Sequence, residues 1–233
     1  MKLVLIALTL ILCGIAGGTQ ERPKLIRVSL QFIEVPHATL TEMLAGRENS
    51  GQALHDKAFA LSKAGQAKLL ETCMVVCRSG EKAASESVRE EIYPTEYAPP
   101  ELPGSFSSTP ARSNSGPPMN PAFRTPTAFE TRNTGVTFEV APTSDSDGTI
   151  DLRLSPEIVT RLRLETWMEH VDQWGDGSMR MPIFETWRCN TSINVAPGKF
   201  EFVSALTPKA NPPVPAVSRK ILVFVRADIL PAP

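Results

Sequence analysis

The chain has 233 residues, 42% of them hydrophobic, and a net charge of −1. That length and apolar content carry one domain with a sizeable core, and the near-neutral charge leaves no basic footprint for nucleic acid. Proline is abundant at 21 residues, most of it in residues 94–127 and 207–218.

The N-terminus reads MKLVLIALTLILCGIAGGTQERPK, with an apolar run from Leu3 to Leu12 after Lys2 and small residues through Gly18. The pattern predicts a secretory signal over residues 1–18, cleaved after Ala16 or Gly18, and hence an exported protein. The run is too short to span a membrane as a permanent helix. Cys13 leaves lipidation open as a minor route, although Leu12 is bulkier than such a site usually allows. Export places Cys73, Cys77 and Cys189 in an oxidising compartment. Cys73 and Cys77 fall four apart in a predicted strand, roughly 13 Å, which is too far for a disulfide between them. Two readings stay open: a bridge from Cys73 or Cys77 to Cys189, or three reduced core cysteines. No spacing matches a zinc site.

Residues 25–35, LIRVSLQFIEV, alternate Ile26, Val28, Leu30 and Phe32 with Arg27, Ser29 and Gln31, which predicts a half-buried strand. ATLTEMLAG reads as a short helix stopped by Gly46. GQALHDKAFALSKAG reads as a second, with Leu54, Ala58, Leu61 and Ala64 at helical spacing and Gly65 after them. AKLLETCMVVCRSGEKA then reads as a strand, a turn at Ser79-Gly80, and the start of a hairpin partner. Residues 94–127 lose apolar periodicity and fill with Pro, Ser, Asn and Gly, which predicts an extended or disordered insertion inside the domain.

A run of strands follows. TGVTFEVAP alternates Val136, Phe138 and Val140 with polar residues, and Asp147-Gly148 supplies a hairpin turn. TIDLRLSPEIVTRLRLE places Ile150, Leu152, Leu154, Ile158, Leu162 and Leu164 inward, and Asp151, Arg153, Arg161, Arg163 and Glu165 outward. Pro156 predicts a bend, a bulge or an edge position. DQWGDGSM reads as a turn, and IFETWRCNTSINVAPGKFEFVSAL as a hairpin joined at Pro197-Gly198. The closing strand, in VSRKILVFVRADILP, is apolar on both faces, with Ile221, Val223, Val225 and Ile229 opposite Leu222, Phe224 and Leu230. Such a strand is covered on both sides, so it belongs at the centre of the fold.

In this order the elements resemble the C-terminal secretin domain of outer-membrane channels of type II and type III secretion and type IV pilus systems. VSLQFIEV resembles its opening strand, and ALSKAGQAKLLETCMVVCRSGEKA its helix, next strand and glycine turn. TGVTFEVAPTSDSDGTIDLRLSPEI resembles the segment in which a glycine precedes a strand, an acidic turn and a second strand. TSINVAPGKFEFVSAL with SRKILVFVRADIL resembles the last hairpin and closing strand. No one motif is very specific, but the colinear set covers most of residues 25–230. The sequence departs from that pattern at Ser204-Ala205, where secretins carry a glycine pair. It departs again at TPKANPPVPAVS, which has no apolar face to embed, where secretins carry a membrane-associated amphipathic segment. The short stretch between cleavage site and first strand leaves no room for the family's N-terminal ring domains, and the proline-rich insertion falls where secretins place their gate hairpins.

The resemblance implies a mainly β, β-rich α+β fold over residues 24–230: a mostly antiparallel sheet with one or two short helices after the first strand. It implies a non-enzymatic protein of the periplasm or outer membrane in a Gram-negative-type envelope, with itself and secretion or pilus envelope proteins as partners. No cofactor, small-molecule substrate or nucleic acid is expected, and membrane association is left open. The expected contact surface comprises Arg153, Arg161 and Arg163 with the 94–127 arm. Structural turns are expected at Gly80, Asp147, Gly148, Pro197 and Gly198. No catalytic constellation emerges: Glu165, Glu169, His170 and Asp172 read as a solvated strand end, and Asp145 and Asp147 offer too few ligands for calcium. The alternative is a monomeric β-sandwich binding module for glycan or peptide, using Trp167, Trp174 and Trp187 as a stacking platform.

Overall fold

The computed structural model describes residues 24–46, 50–98, 125–172, 175–176, 178–209 and 218–231. The expected signal over residues 1–18 and the centre of the expected insertion lie outside the described residues. The elements run β1 (Leu25–Pro36), α1 (His37–Ala45), α2 (Gly51–Lys63), β2 (Lys68–Arg78), β3 (Ala83–Ala98), β4 (Thr125–Ser144) and β5 (Ile150–Met168). They continue with β6 (Val171–Asp172), β7 (Gly175–Asp176), β8 (Met179–Arg188), β9 (Thr191–Val195), β10 (Phe200–Leu206) and β11 (Arg219–Leu230).

Two antiparallel sheets stack on each other. The first has the order β10-β11-β1-β2; the second has the order β3-β4-β5-β8, with β9 also pairing with β5. The alternation in β1 is what places its apolar row inward. Ile26, Val28, Leu30 and Phe32 meet Ile221, Val223 and Val225 of β11 on one side, and Val136, Phe138, Val140, Ile150, Leu152 and Leu154 of the second sheet on the other. The two helices cover the opposite face of the first sheet, where Leu40, Met43, Leu54 and Ala58 pack on Ile33, Val35, Leu222 and Phe224. The closing strand is thus enclosed by a sheet on one face and helices on the other, which is why its sequence is apolar throughout. Each fully buried Phe, Leu or Ile in these layers stabilises the fold by about 1.5–3 kcal/mol.

Helix α2 starts at Ser50, whose Oγ accepts the Ala53 N–H at 3.2 Å, and ends before Gly65, which takes φ +74°. The Asp147-Gly148 turn forms as expected between β4 and β5: Gly148 adopts φ +87°, and Asp147 Oδ1 accepts the Thr149 N–H at 2.9 Å. That backbone hydrogen bond holds the Asp147 carboxyl below its ordinary pKa.

Five expectations are corrected. The Ser79-Gly80 turn does not lead into a hairpin, because β2 pairs with β1 and β3 pairs with β4. The turn instead carries the chain from one sheet to the other, anchored by Ser79 N–H to Lys24 O at 2.9 Å and Gly80 N–H to Pro142 O at 2.8 Å. The same happens at Pro197-Gly198, where β9 pairs with β5 while β10 finds its partner in β11, across residues 207–218. The ends of the expected insertion are paired strand, with Pro94 opposite Phe129 and Ala98 opposite Thr125.

Pro156 causes neither bend nor edge. It lies in register opposite Phe138, in the middle of β5. Its carbonyl accepts the Cys189 N–H at 3.2 Å, so its missing N–H faces the interruption between β8 and β9, where no ladder partner is lost. The irregularities in β5 come later, between Arg161 and Arg163 and between Thr166 and Met168. They break the inward parity, and Leu164 is exposed.

Candidate functional site

The second sheet is longer than the core that covers it. Pairing of β4 with β5 stops at Gly135 opposite Val159, and beyond that point the sheet divides into two ribbons. One is β3 with β4, continuing to Ala98 and Thr125; the other is β5 with β8, continuing to Met168 and Met179. Gly135 makes the fork. It adopts φ +128°, and a Cβ there would collide with the Ser87 carbonyl oxygen. Ser87, Val88, Thr134, Gly135, Val159 and Arg161 line an open cleft of about 530 Å³ at this fork.

The ribbons face each other through polar and aromatic contacts. Arg161 meets Glu91 at 3.1 Å, the Arg132 guanidinium donates to Thr186 Oγ1 at 3.1 Å, and Tyr93 lies 5.7 Å from the Phe184 ring. A second row points the other way. Val88, Ile92 and Phe129, 42%, 67% and 58% exposed, form an apolar row on the outer face of the first ribbon. The far end of the second ribbon exposes Leu164, Trp167, Met168 and Val171. Edge strands β3 and β8 leave their outer main-chain groups without a neighbouring strand among the described residues.

The expected contact residues separate in this frame. Arg161 points into the fork and is tied to Glu91, and Arg163 pairs with Glu165 at 3.2 Å. Arg153 lies on the outer face of the second sheet, in a shallow groove with Lys82, Ser155 and Asn190. The two described tryptophans lie apart. Trp187 sits opposite Ile158 against the core, whereas exposed Trp167 lies nine positions further along β5, roughly 30 Å away at the rise of a strand. Trp174 lies outside the described residues.

Cys73, Cys77 and Cys189 are free thiols. Cys73 and Cys77 share the inward face of β2, and Cys189 lies between β8 and β9 at the far edge of the second sheet. Burial, reinforced by Glu71, pushes the Cys73 thiol up to about 11, and burial also raises Cys77. Among the described residues no three His, Cys, Asp or Glu side chains converge as metal ligands.

Sequence reasoning missed two features. The fork left a trace in the Thr134-Gly135 pair before an alternating strand. The other is His55, 6% exposed between α2 and the first sheet, which nothing in its helix-compatible neighbours singles out.

Compared with known proteins, the chain matches no protein-family model and no curated protein. Among solved structures it is similar to secretin domains. One is the secretin-domain β-barrel of InvG from the Salmonella SPI-1 injectisome, at 12% identity and a TM-score of 0.46, covering 91% of this chain and 64% of that one. Another is GspD, a type II secretin from enteropathogenic Escherichia coli, at 11% identity and a TM-score of 0.45, covering 91% and 70%. A third is PilQ, the type IV competence pilus secretin of V. cholerae, at 10% identity and a TM-score of 0.40, covering 89% and 61%. At these identities the likeness is one of fold alone, and the chain spans about two thirds of the length of those structures.

Proposed function

We propose that this chain is a secretin-like, non-enzymatic envelope protein that works by self-association, alone or within a secretion or pilus assembly. The observation that carries this reading is the pair of ribbons beyond Gly135 and Val159. They extend past the core with two edges and an outward apolar row that no other described residue covers. Strands in this condition are stabilised by lateral pairing with a neighbour, and closure of such pairing into a ring removes the edges altogether. The colinear resemblance of four stretches to the secretin domain supports the same reading, and export by the N-terminal signal would deliver the chain to the envelope.

Light scattering coupled to size exclusion, on the full chain recovered from cells, with and without mild detergent, tests it. A large, discrete, detergent-stable species is expected. A single-chain mass under both conditions, with no envelope protein retained on the tagged chain, overturns it. The monomeric glycan- or peptide-binding alternative draws no support from Trp167 and Trp187, which lie far apart.

A further inference from the structure

Among the described residues β10 and β2 are the edge strands of the first sheet, and the β10 edge is not bare along its whole length. Helix α2 overhangs β10 at that edge. A Cβ at Gly51 would come within 2.5 Å of Glu201 Cα and 2.6 Å of Phe202 N, so only glycine lets the helix start this close to the strand. Gln52 Oε1 accepts the Phe200 N–H at 2.8 Å. A main-chain donor of an edge strand, the group an incoming strand would pair with, is therefore occupied by the helix.

One turn further on, His55 fastens the helix down. Its ring stacks on Phe200 at 3.7 Å with an interplanar angle of 7°, and Phe224 meets it edge-on at 5.3 Å. Nε2 lies 2.8 Å from Gln31 Oε1 of β1, and Nδ1 lies 3.4 Å from Asp56 Oδ1. We propose that His55 holds α2 as a latch over the free edge of β10, so that adding a proton to its ring loosens the helix and opens that edge to a strand of a second copy. This rests on the self-association reading above and names a control over it.

Charges act on the ring from two sides. Asp56 on α2 favours the proton. Arg226 on β11, 6.0 Å from the Phe200 ring, opposes it, and Glu201 on β10 lies beside Gly51 rather than on the ring. From β1 the ring meets only the neutral Gln31 amide. Burial is the largest influence and holds His55 below its ordinary 6.5 despite Asp56, with Arg226 adding to the depression. The docked helix therefore binds the proton less readily than the undocked one. Its docking is most stable above pH 6.5 and weakens as pH falls through the lower, docked value.

Amide hydrogen exchange on the full chain at pH 7.5 and pH 5, corrected for intrinsic rates, reads the latch. Light scattering on the same samples reads association. Several-fold loss of protection at α2 and Phe200 is expected at pH 5, with β1 and β11 unchanged and the associated fraction raised. His55→Phe keeps the stack and His55→Gln keeps a donor for Gln31, and both should flatten the pH dependence. Protection that is independent of pH in the unsubstituted chain, or that still varies with pH in both variants, overturns the latch. If α2 loosens at pH 5 while association is unchanged and a larger species forms in detergent, the link to edge pairing is overturned. Absence of any larger species under all conditions is instead the failure of the self-association reading.

Discussion

At the scale of single residues, the fold turns on positions where one atom decides the path. Gly135 is the clearest. Its φ of +128° and the Ser87 carbonyl beside it exclude any Cβ, and the two ribbons diverge at that point. Gly135→Ala has to move backbone rather than a side chain. Such a change costs about 2 kcal/mol or more, since strained backbone alone is worth about 1–3 kcal/mol. Urea unfolding of the variant should show a lowered midpoint with an unchanged slope. Gly80, Gly148 and Gly198 also take positive φ but lie in open turns, where a Cβ meets at most the Asp228 carboxylate at 3.9 Å, so the same substitution there carries only the backbone strain.

At the scale of elements, what was legible in the sequence follows burial. β1, α2, the Asp147-Gly148 hairpin and the core half of β5 announce themselves because one face of each is covered, and a covered face imposes a period. The outer halves of β3, β4 and β5 carry no such imprint. Residues 128–133, AFETRN, face solvent or the other ribbon and so carry no apolar alternation to announce them, although they are paired strand. Leu164 was expected inward because a constant parity was carried past Arg161, where the strand bulges and the covering sheet has ended. Partner choice was not legible either. A glycine turn looks the same whether the strands on either side pair together or part, and at Ser79-Gly80 and Pro197-Gly198 they part.

The ribbon itself gives the test at this scale. Val88→Ser, Ile92→Ser and Phe129→Ser together remove exposed apolar surface that contributes nothing to the monomer's core. The thermal midpoint should shift by no more than a degree or two, while the associated fraction seen by light scattering should fall several-fold. A large loss of Tm would show that the row packs within the chain instead.

At the scale of the whole molecule, the two ends of the chain are joined electrostatically as well as by hydrogen bonds. Arg27 donates to Asp228 Oδ2 at 3.0 Å, and Arg226 donates to Asp228 Oδ1 at 2.9 Å. Burial works against the Asp228 carboxylate, but hydrogen bonds from Arg226 and Arg27 outweigh it and hold its pKa below the ordinary 3.8. A carboxylate with a depressed folded pKa stabilises fully above the unfolded value and loses that contribution as pH falls through the folded one. Asp228→Asn should therefore lower stability at pH 7 and make little difference near pH 2, as read by denaturant unfolding at both. An equal loss at the two pH values would mean that the carboxylate acts by shape rather than charge.

The pairing of β1 with β11 sets Leu25 opposite Leu230 and Pro36 opposite Arg219. During synthesis, β1 leaves the ribosome long before one of its two partners, the residues Arg219–Leu230 of β11. Until those emerge, one edge of β1 is open, and loop closure across nearly the whole polypeptide is needed to seal it. The central sheet cannot be completed before β11 has emerged, so these residues stay short of their final compact state for most of the time they take to be made.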